Sequence, residues 1–261
     1  MQPMLNIAIR AARMAGNLIA KSYENFDTIE ASKKYNNNFV TNINTKLEHV
    51  IVDLIRKFYS QHSIVINNSG ELEVENTNIQ WIIDPLDGTT NFIKRFPHFA
   101  VSIAVRIKGY TEVAVVYDPM RNELFTASRG QGAQLNGYRL RVGTAHHLDD
   151  TILAIAFHYK QKQHANNIGY MTLVRKLLVK CADFRSTGSA VLDLAYVAAG
   201  RVDGLFEISL NPCDFASGER LVREAGGLVT DFAGRNYHLR SGDIVAGNPR
   251  IVKTILSTIL D

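Results

Sequence analysis

An α/β or α+β protein, with sheets covered by helices, is what the sequence predicts, and three observations predict it. Apolar residues in the N-terminal part recur at three-and-four spacing. The middle of the chain switches to a period of two, and the C-terminal part alternates helix-like and strand-like stretches. Met4 to Tyr23 reads as a helix, with Leu5, Ala8, Ala12, Ala15 and Ile19 along one side. A second helix is expected from about Thr45 to Tyr59. Leu47, Val50, Ile51, Leu54 and Phe58 give its apolar stripe, and Thr45 with Glu48 fits a capping box.

Phe99, Val101, Ile103 and Val105 alternate with smaller or polar residues, as in a strand. Lys108-Gly109 turns that strand into a hairpin with Glu112 to Tyr117, and a further run, Glu123 to Ala127, follows Asp118-Pro119. Asn136-Gly137, between Leu135 and Tyr138, is a dipeptide that suits the tight turn of a hairpin. This stretch reads as an antiparallel meander. Beyond it the pattern predicts a helix from about Tyr170 to Lys180, a strand through Phe184, and a helix from Ser189 to Ala199 stopped by Gly200. A strand from Val202 to Ile208 follows, then a helix from Asp214 to just before Gly226-Gly227. Short strands at Leu228 to Thr230 and Ile244 to Ala246 come next. Pro249 opens a last helix, with Ile251, Ile255 and Ile259 four apart. No internal repeat, low-complexity tract or Pro/Gly linker divides the 261 residues. They are expected to form one unit of two sheet-bearing halves, about 1–145 and about 146–261.

The composition narrows the class. With 46% hydrophobic and 21% charged residues the chain is too apolar for disorder and long enough to bury a core. Two cysteines make neither a disulfide framework nor a four-cysteine zinc site, which fits a reducing cytosol. Met1-Gln2-Pro3 opens no signal peptide, and apolar runs such as Ile152 to Phe157 are too short to cross a bilayer. A cytoplasmic protein is expected. The balance of 29 Lys+Arg against 25 Asp+Glu, net +4, is mildly basic, with no basic stripe of a dedicated nucleic-acid binder. The histidines, including His146-His147, His49, His98 and His158, show no metal-ligand spacing, and Cys181 and Cys213 read as small apolar fillers.

Chemistry concentrates in Trp81-Ile82-Ile83-Asp84-Pro85-Leu86-Asp87-Gly88-Thr89-Thr90-Asn91-Phe92. An apolar strand delivers two carboxylates, three apart, to its end. Pro85 is expected to turn the chain there, because it cannot donate to a central ladder. Gly88 permits close backbone approach, and Thr89, Thr90 and Asn91 suit the start of a helix. Carboxylate oxygens suit a hard cation such as Mg²⁺, and free N–H groups suit a phosphate. Both at one point is the apparatus of phosphate-ester chemistry. A lone Asp-x-x-Asp is an ordinary turn. The string Asp-Pro-x-Asp-Gly-Thr is not, since chance supplies it in roughly one chain of this length in ten thousand.

That string resembles the signature of the inositol monophosphatase family, Mg²⁺-dependent and lithium-sensitive phosphatases with a layered αβαβα fold. Asn211-Pro212-Cys213-Asp214-Phe215-Ala216-Ser217-Gly218-Glu219, continued by Leu221 to Gly227, resembles the second family signature, which usually reads Trp-Asp where this chain has Cys213-Asp214. Within the family, Asn91 to Ile107, Glu112 to Asn122 and Ala195 to Asp203 are most similar to a bacterial branch associated with ribosomal RNA transcription antitermination. The resemblance implies roles residue by residue. Asp84 would bridge two metal ions, the Leu86 carbonyl would bind one, and Asp87 and Asp214 the other. Gly88 and Thr89 would offer N–H groups to the phosphate, with the Thr89 hydroxyl orienting the attacking water. Arg185, Gly188, Ser189, Ala190 and Glu207 would contact the inositol or ribose-like part, beside Leu86 and Asp214. A homodimer, a phosphate-monoester substrate such as inositol 1-phosphate, and NusA and RNA polymerase as partners are implied in the same way.

Two positions depart from the family pattern. Ile66-Asn67-Asn68-Ser69 places Asn67 where the family has a ligating acid, and Asn44, after Phe39-Val40-Thr41-Asn42-Ile43, stands where it has an Asp. An Asn keeps the shape and loses the charge that a Mg²⁺ site uses. Asn44 cannot take a proton from Thr89. A folded scaffold with weakened phosphatase activity is therefore expected, acting mainly through its partners, with a fully active polyol monophosphatase as the alternative. The second metal, on Asp84, Asp87 and Asp214, is expected to survive. Glu71 and Glu73, on the same loop as Asn67, could supply a substitute acid if that loop shifted.

Overall fold

The computed structural model describes residues 2–25, 31–34, 38–67, 70–72, 76–156, 168–236 and 238–260. Helix α1 (Gln2–Glu24) is followed by a small hairpin of β1 (Ala31–Lys34) and β2 (Asn38–Thr41), then by α2 (Asn42–Phe58). Next come β3 (His62–Ile66), β4 (Gly70–Leu72), β5 (Asn76–Asp87) and the short helix α3 (Thr89–Ile93). The expected meander follows as β6 (Ala100–Ile107), β7 (Tyr110–Asp118), β8 (Glu123–Ser128), β9 (Gly132–Leu135) and β10 (Tyr138–Arg139). These strands form an eight-stranded sheet in the order β10-β9-β8-β7-β6-β5-β3-β4, in which β3 runs parallel to β5 and the other pairings are antiparallel. At the Asn136-Gly137 turn both residues have positive φ, 49° and 86°, so the type of turn that the dipeptide favours is the one formed.

The second sheet contains β11 (Ile152–Ile155) and, after α4 (Ile168–Leu178), β12 (Asp183–Arg185). Beyond α5 (Ala190–Ala198) come β13 (Gly204–Glu207), α6 (Pro212–Glu224), β14 (Leu228–Thr230), α7 (His238–Ser241), β15 (Ile244–Gly247) and α8 (Pro249–Leu260). Its order is β12-β11-β13-β15-β14. The first two pairings are parallel and the last two antiparallel.

Strand alternation stacks the layers. In β7, Val113 and Val115 join the core under α1 and α2, whereas Ala114 and Val116 face the core built on α5 and α6. In β13, Leu205 faces α5 and α6, and Phe206 faces the core that includes Tyr170 and Leu173 of α4 and Ile251 and Ile255 of α8. Both faces of the central strands of each sheet are thus covered, and the layers run α1/α2, large sheet, α5/α6, small sheet, α4/α8. This is the αβαβα sandwich that the family resemblance implies. Burying both faces also explains the near-continuous apolar runs of β6, β7 and β15.

Three local expectations need correction. Helix α2 begins at Asn42, so Thr45 is exposed inside the first turn and does not cap it with Glu48. Phe58 at its far end is 48% exposed. Pro85 does not end its strand: β5 continues to Asp87, and the pairing with β6 slips between Asp84↔Ser102 and Asp87↔Ala100. The extra residue forms a bulge, which is where a sheet tolerates a proline. Helix α6 starts at Pro212 instead of Asp214, with Asn211 as N-cap, because proline's missing N–H costs nothing in a first turn. Asp214 is therefore the third residue of that first turn and not its first.

Candidate active site

The bulge of β5 aims Asp84 into the protein, and the chain then reverses at Gly88. Gly88 has φ 85° and precedes α3, and a Cβ there would stand 2.9 Å from the His98 carbonyl oxygen, so only glycine fits. Asp84 is 5% exposed; its Oδ1 accepts the Leu86 N–H at 3.0 Å. The Thr89 hydroxyl donates to the Leu86 carbonyl at 2.8 Å. Just past the end of the neighbouring strand β3, Asn67 extends its side-chain nitrogen to 2.8 Å from Asp84 Oδ2 and 2.9 Å from Asp214 Oδ1. The second oxygen of Asp214 accepts the Asn211 N–H at 2.8 Å, which fixes the carboxylate over the start of α6.

Asp87 faces elsewhere. Its Oδ2 accepts from Ser189 Oγ and from the Val191 N–H, the latter at 3.3 Å, at the start of α5. Ser189 is also the N-cap of α5, accepting from the Leu192 N–H at 3.4 Å, and Ala190 is buried as its first residue. Asn91 bridges the two walls, donating at 2.8 Å to the carbonyls of both His98 and Thr187. Gly188, with φ 84°, lies against that amide, 3.1 Å from where its Cβ would be. The structure thus brings together Asp84, Leu86, Asp87, Thr89, Ser189, Asp214 and Asn67.

Two of the expected contact residues stand apart from this cluster's hydrogen bonds. Arg185 is exposed and pairs with Asp183 on its own strand. Glu207, at the end of β13, is fully buried and acts electrostatically on Asp193. Asn44 is buried on α2. Of the suggested substitute acids, Glu73 lies outside the described residues, as do Asn68, Ser69 and His158, and for Glu71 only the backbone is described.

The electrostatics follow from crowding acids under little solvent. Burial first, and the Asp214 carboxylate second, push Asp84 up to about 7 against the hydrogen bonds from Asn67 and Leu86. Desolvation and then Asp84 hold Asp87 well above the usual carboxylate range, in spite of Ser189. Glu48, one turn beyond Asn44 on α2, adds a further negative charge against Asp84. Its signal in the sequence is the spacing of four from Asn44, which puts both on one helix face. Asp193, which holds the Thr187 hydroxyl at 2.9 Å, carries no comparable signal. Burial and Glu207 keep it well above the carboxylate range. Cys213 fills the position beside Asp214 among Ile82, Ala104 and Ala216, and burial pushes its thiol up to about 12.

Oxygen donors of this kind suit a hard divalent cation, yet the arrangement does not fit one as it stands. The place between Asp84 and Asp214 faces an amide N–H donor, and Asp87 is turned onto Ser189. Among the described residues no group of three or more His, Cys, Asp or Glu side chains is gathered so as to hold a metal.

Comparison with known proteins agrees with this fold. The chain is 67% identical to the Nus factor SuhB of Escherichia coli K12 over 261 residues, all of this chain and 97% of that protein. The solved structure of extragenic suppressor protein suhB from Bartonella henselae superposes with a TM-score of 0.94 at 36% identity, covering 98% of both chains. The Thermotoga maritima IMPase gives 0.88 at 31% identity over 99% of this chain and 97% of that one. Residues 1–260 match the inositol monophosphatase family, and the chain belongs to it.

Proposed function

We propose that this chain is an interaction protein on an inositol monophosphatase scaffold, acting in ribosomal RNA transcription antitermination with NusA, other Nus factors and RNA polymerase. We infer also that its phosphatase activity is weakened. The carrying observation is Asn67. At the position of a ligating acid this chain places a hydrogen-bond donor, bonded to both Asp84 and Asp214. Thr89 supports the same reading, since its hydroxyl proton is directed at the Leu86 carbonyl and Asn44 offers no base to receive it. Mg²⁺ at Asp84, the Leu86 carbonyl, Asp87 and Asp214 is accordingly expected to bind weakly. The near-full-length identity to a protein named as a Nus factor supports the partner class. A cytoplasmic homodimer is part of the proposal.

The alternative, an active Mg²⁺-dependent polyol monophosphatase hydrolysing inositol 1-phosphate, is favoured by the retained Asp84, Asp87, Thr89 and Asp214. Two measurements on the parent and on an Asn44→Asp/Asn67→Glu variant separate the readings. One is capture of NusA and RNA polymerase. The other is phosphate release from inositol 1-phosphate at millimolar Mg²⁺. We expect equal capture by both proteins, and release raised about a hundredfold in the variant. A parent that turns over as fast as the variant transfers the reading to the active phosphatase. A parent that captures neither partner removes the interaction role.

A further inference from the structure

The Asn67 amide joins two carboxylates that are remote in sequence, one on the β5 bulge and one in the first turn of α6. Its backbone is pinned as well, through Asn67 N–H to the Ile83 carbonyl at 2.9 Å. The contacts fix which way the amide faces, because an amide oxygen in the same place would meet two carboxylates. Only the NH₂ end has two protons, one for each acceptor. A symmetry of bonding results. Asp84 and Asp214 each have one oxygen on a backbone N–H, from Leu86 and Asn211, and the other on Asn67.

We propose that Asn67 takes the place of a cation in this chain, its NH₂ group clamping Asp84 to Asp214 so that the site stays assembled without metal. The inference rests on the reading of position 67 as a former ligand position in a weakened phosphatase site, and it goes further. Asn67 becomes a structural donor in its own right, and not merely an acid lost. An amide supplies N–H dipoles and no net charge, so it holds the two carboxylates in place without neutralising them. A third acid at 67 would have the opposite effect, facing two like charges at hydrogen-bond distance until a cation separated them.

Thermal melting of the full chain at one fixed pH, in EDTA and in millimolar Mg²⁺, tests this on the parent, Asn67→Ala and Asn67→Glu. The parent is expected to melt at one temperature in both conditions. Asn67→Ala should melt roughly 3–8 °C lower in EDTA, from the loss of two charge-assisted hydrogen bonds, and regain part of the loss in Mg²⁺. Asn67→Glu should also melt low in EDTA and regain most of the loss with metal. Asn67→Ala melting with the parent in EDTA overturns the clamp, as does Mg²⁺ stabilising the parent as much as it stabilises Asn67→Glu. If a variant fails to fold, calorimetric titration of the parent with Mg²⁺ decides. Binding heat that is absent, or that does not approach saturation in the millimolar range, supports the clamp, and an isotherm that saturates there overturns it. Partner capture does not enter these measurements, so failure of the antitermination role leaves the clamp standing. A metal-stabilised parent overturns the clamp whatever the capture shows.

Discussion

Asp84, Asp193 and Glu219 are all buried, at 5%, 0% and 7% exposure, yet they titrate in opposite directions. Asp84 meets Asp214 and Asp193 meets Glu207, so a like charge adds to burial and both rise. Burial would raise Glu219 too, but the hydrogen bond with His238 at 3.0 Å and the Arg223 guanidinium at 2.8 Å outweigh it and hold the carboxyl below its usual value. The sign of the pH dependence follows. A depressed acid stabilises the fold above its unfolded value of about 4.3, and that contribution is lost as pH falls through the folded value. Glu219→Gln should cost about 1–2 kcal/mol at neutral pH, with the gap to the parent closing below about pH 4. Urea midpoints across a pH series check it. A gap that stays constant into acid would assign the effect to packing. The sequence made Asp84, Asp87 and Asp214 legible, because one improbable string and a second signature carry them. It showed Asn67 only as a missing charge. That its amide donates to two acceptors depends on a contact spanning 147 positions, which no local pattern encodes.

Helix α6 is the element on which the site and the layers both depend. It carries Asp214 in its first turn and crosses α5 closely at Gly218, where a Cβ would come within 2.5 Å of Leu194 Cβ. Leu194 cannot swing that atom away, since Cβ moves only with the α5 backbone. Gly218→Ala therefore gains helix propensity and loses more to overpacking, with a net destabilisation of about 1–3 kcal/mol expected in denaturant unfolding. Stabilisation by the substitution would show that the two helices can separate freely. Periodicity found α1, α2, the meander and α8 because each repeats its pattern over several turns or strands. It left β3 unassigned and ended the strand at Pro85, for related reasons. Five residues of β3 are too few to show a period, and the strand is held by parallel pairing to β5. The continuation of β5 past Pro85 depends on a bulge opposite β6, and a bulge is set by the partner strand.

The middle layer is where the two sheets meet. Its core takes Ala100, Ala114, Val116 and Phe125 from the large sheet, Leu205, Ile244 and Ala246 from the small one, and the buried faces of α5 and α6 between them. Polar ties cross the same boundary: Ser102 Oγ to Ser217 Oγ at 2.6 Å, the Gly132 N–H to Glu224 at 2.9 Å, and paired bonds of 2.6 Å from Arg201 to Glu123. Neither sheet can keep that face covered if the other unfolds, because α5 and α6 serve both. Exposing so much apolar surface in a half-unfolded state would cost far more than a chain of ordinary net stability holds in reserve. We therefore expect one cooperative transition for residues 1–261, with calorimetric and van't Hoff enthalpies equal. Gly218→Ala should move that transition as a whole, since Leu194 and Gly218 lie in the shared layer. Two resolved transitions, with the substitution moving only one of them, would show instead that the halves unfold separately and that the middle layer belongs to just one.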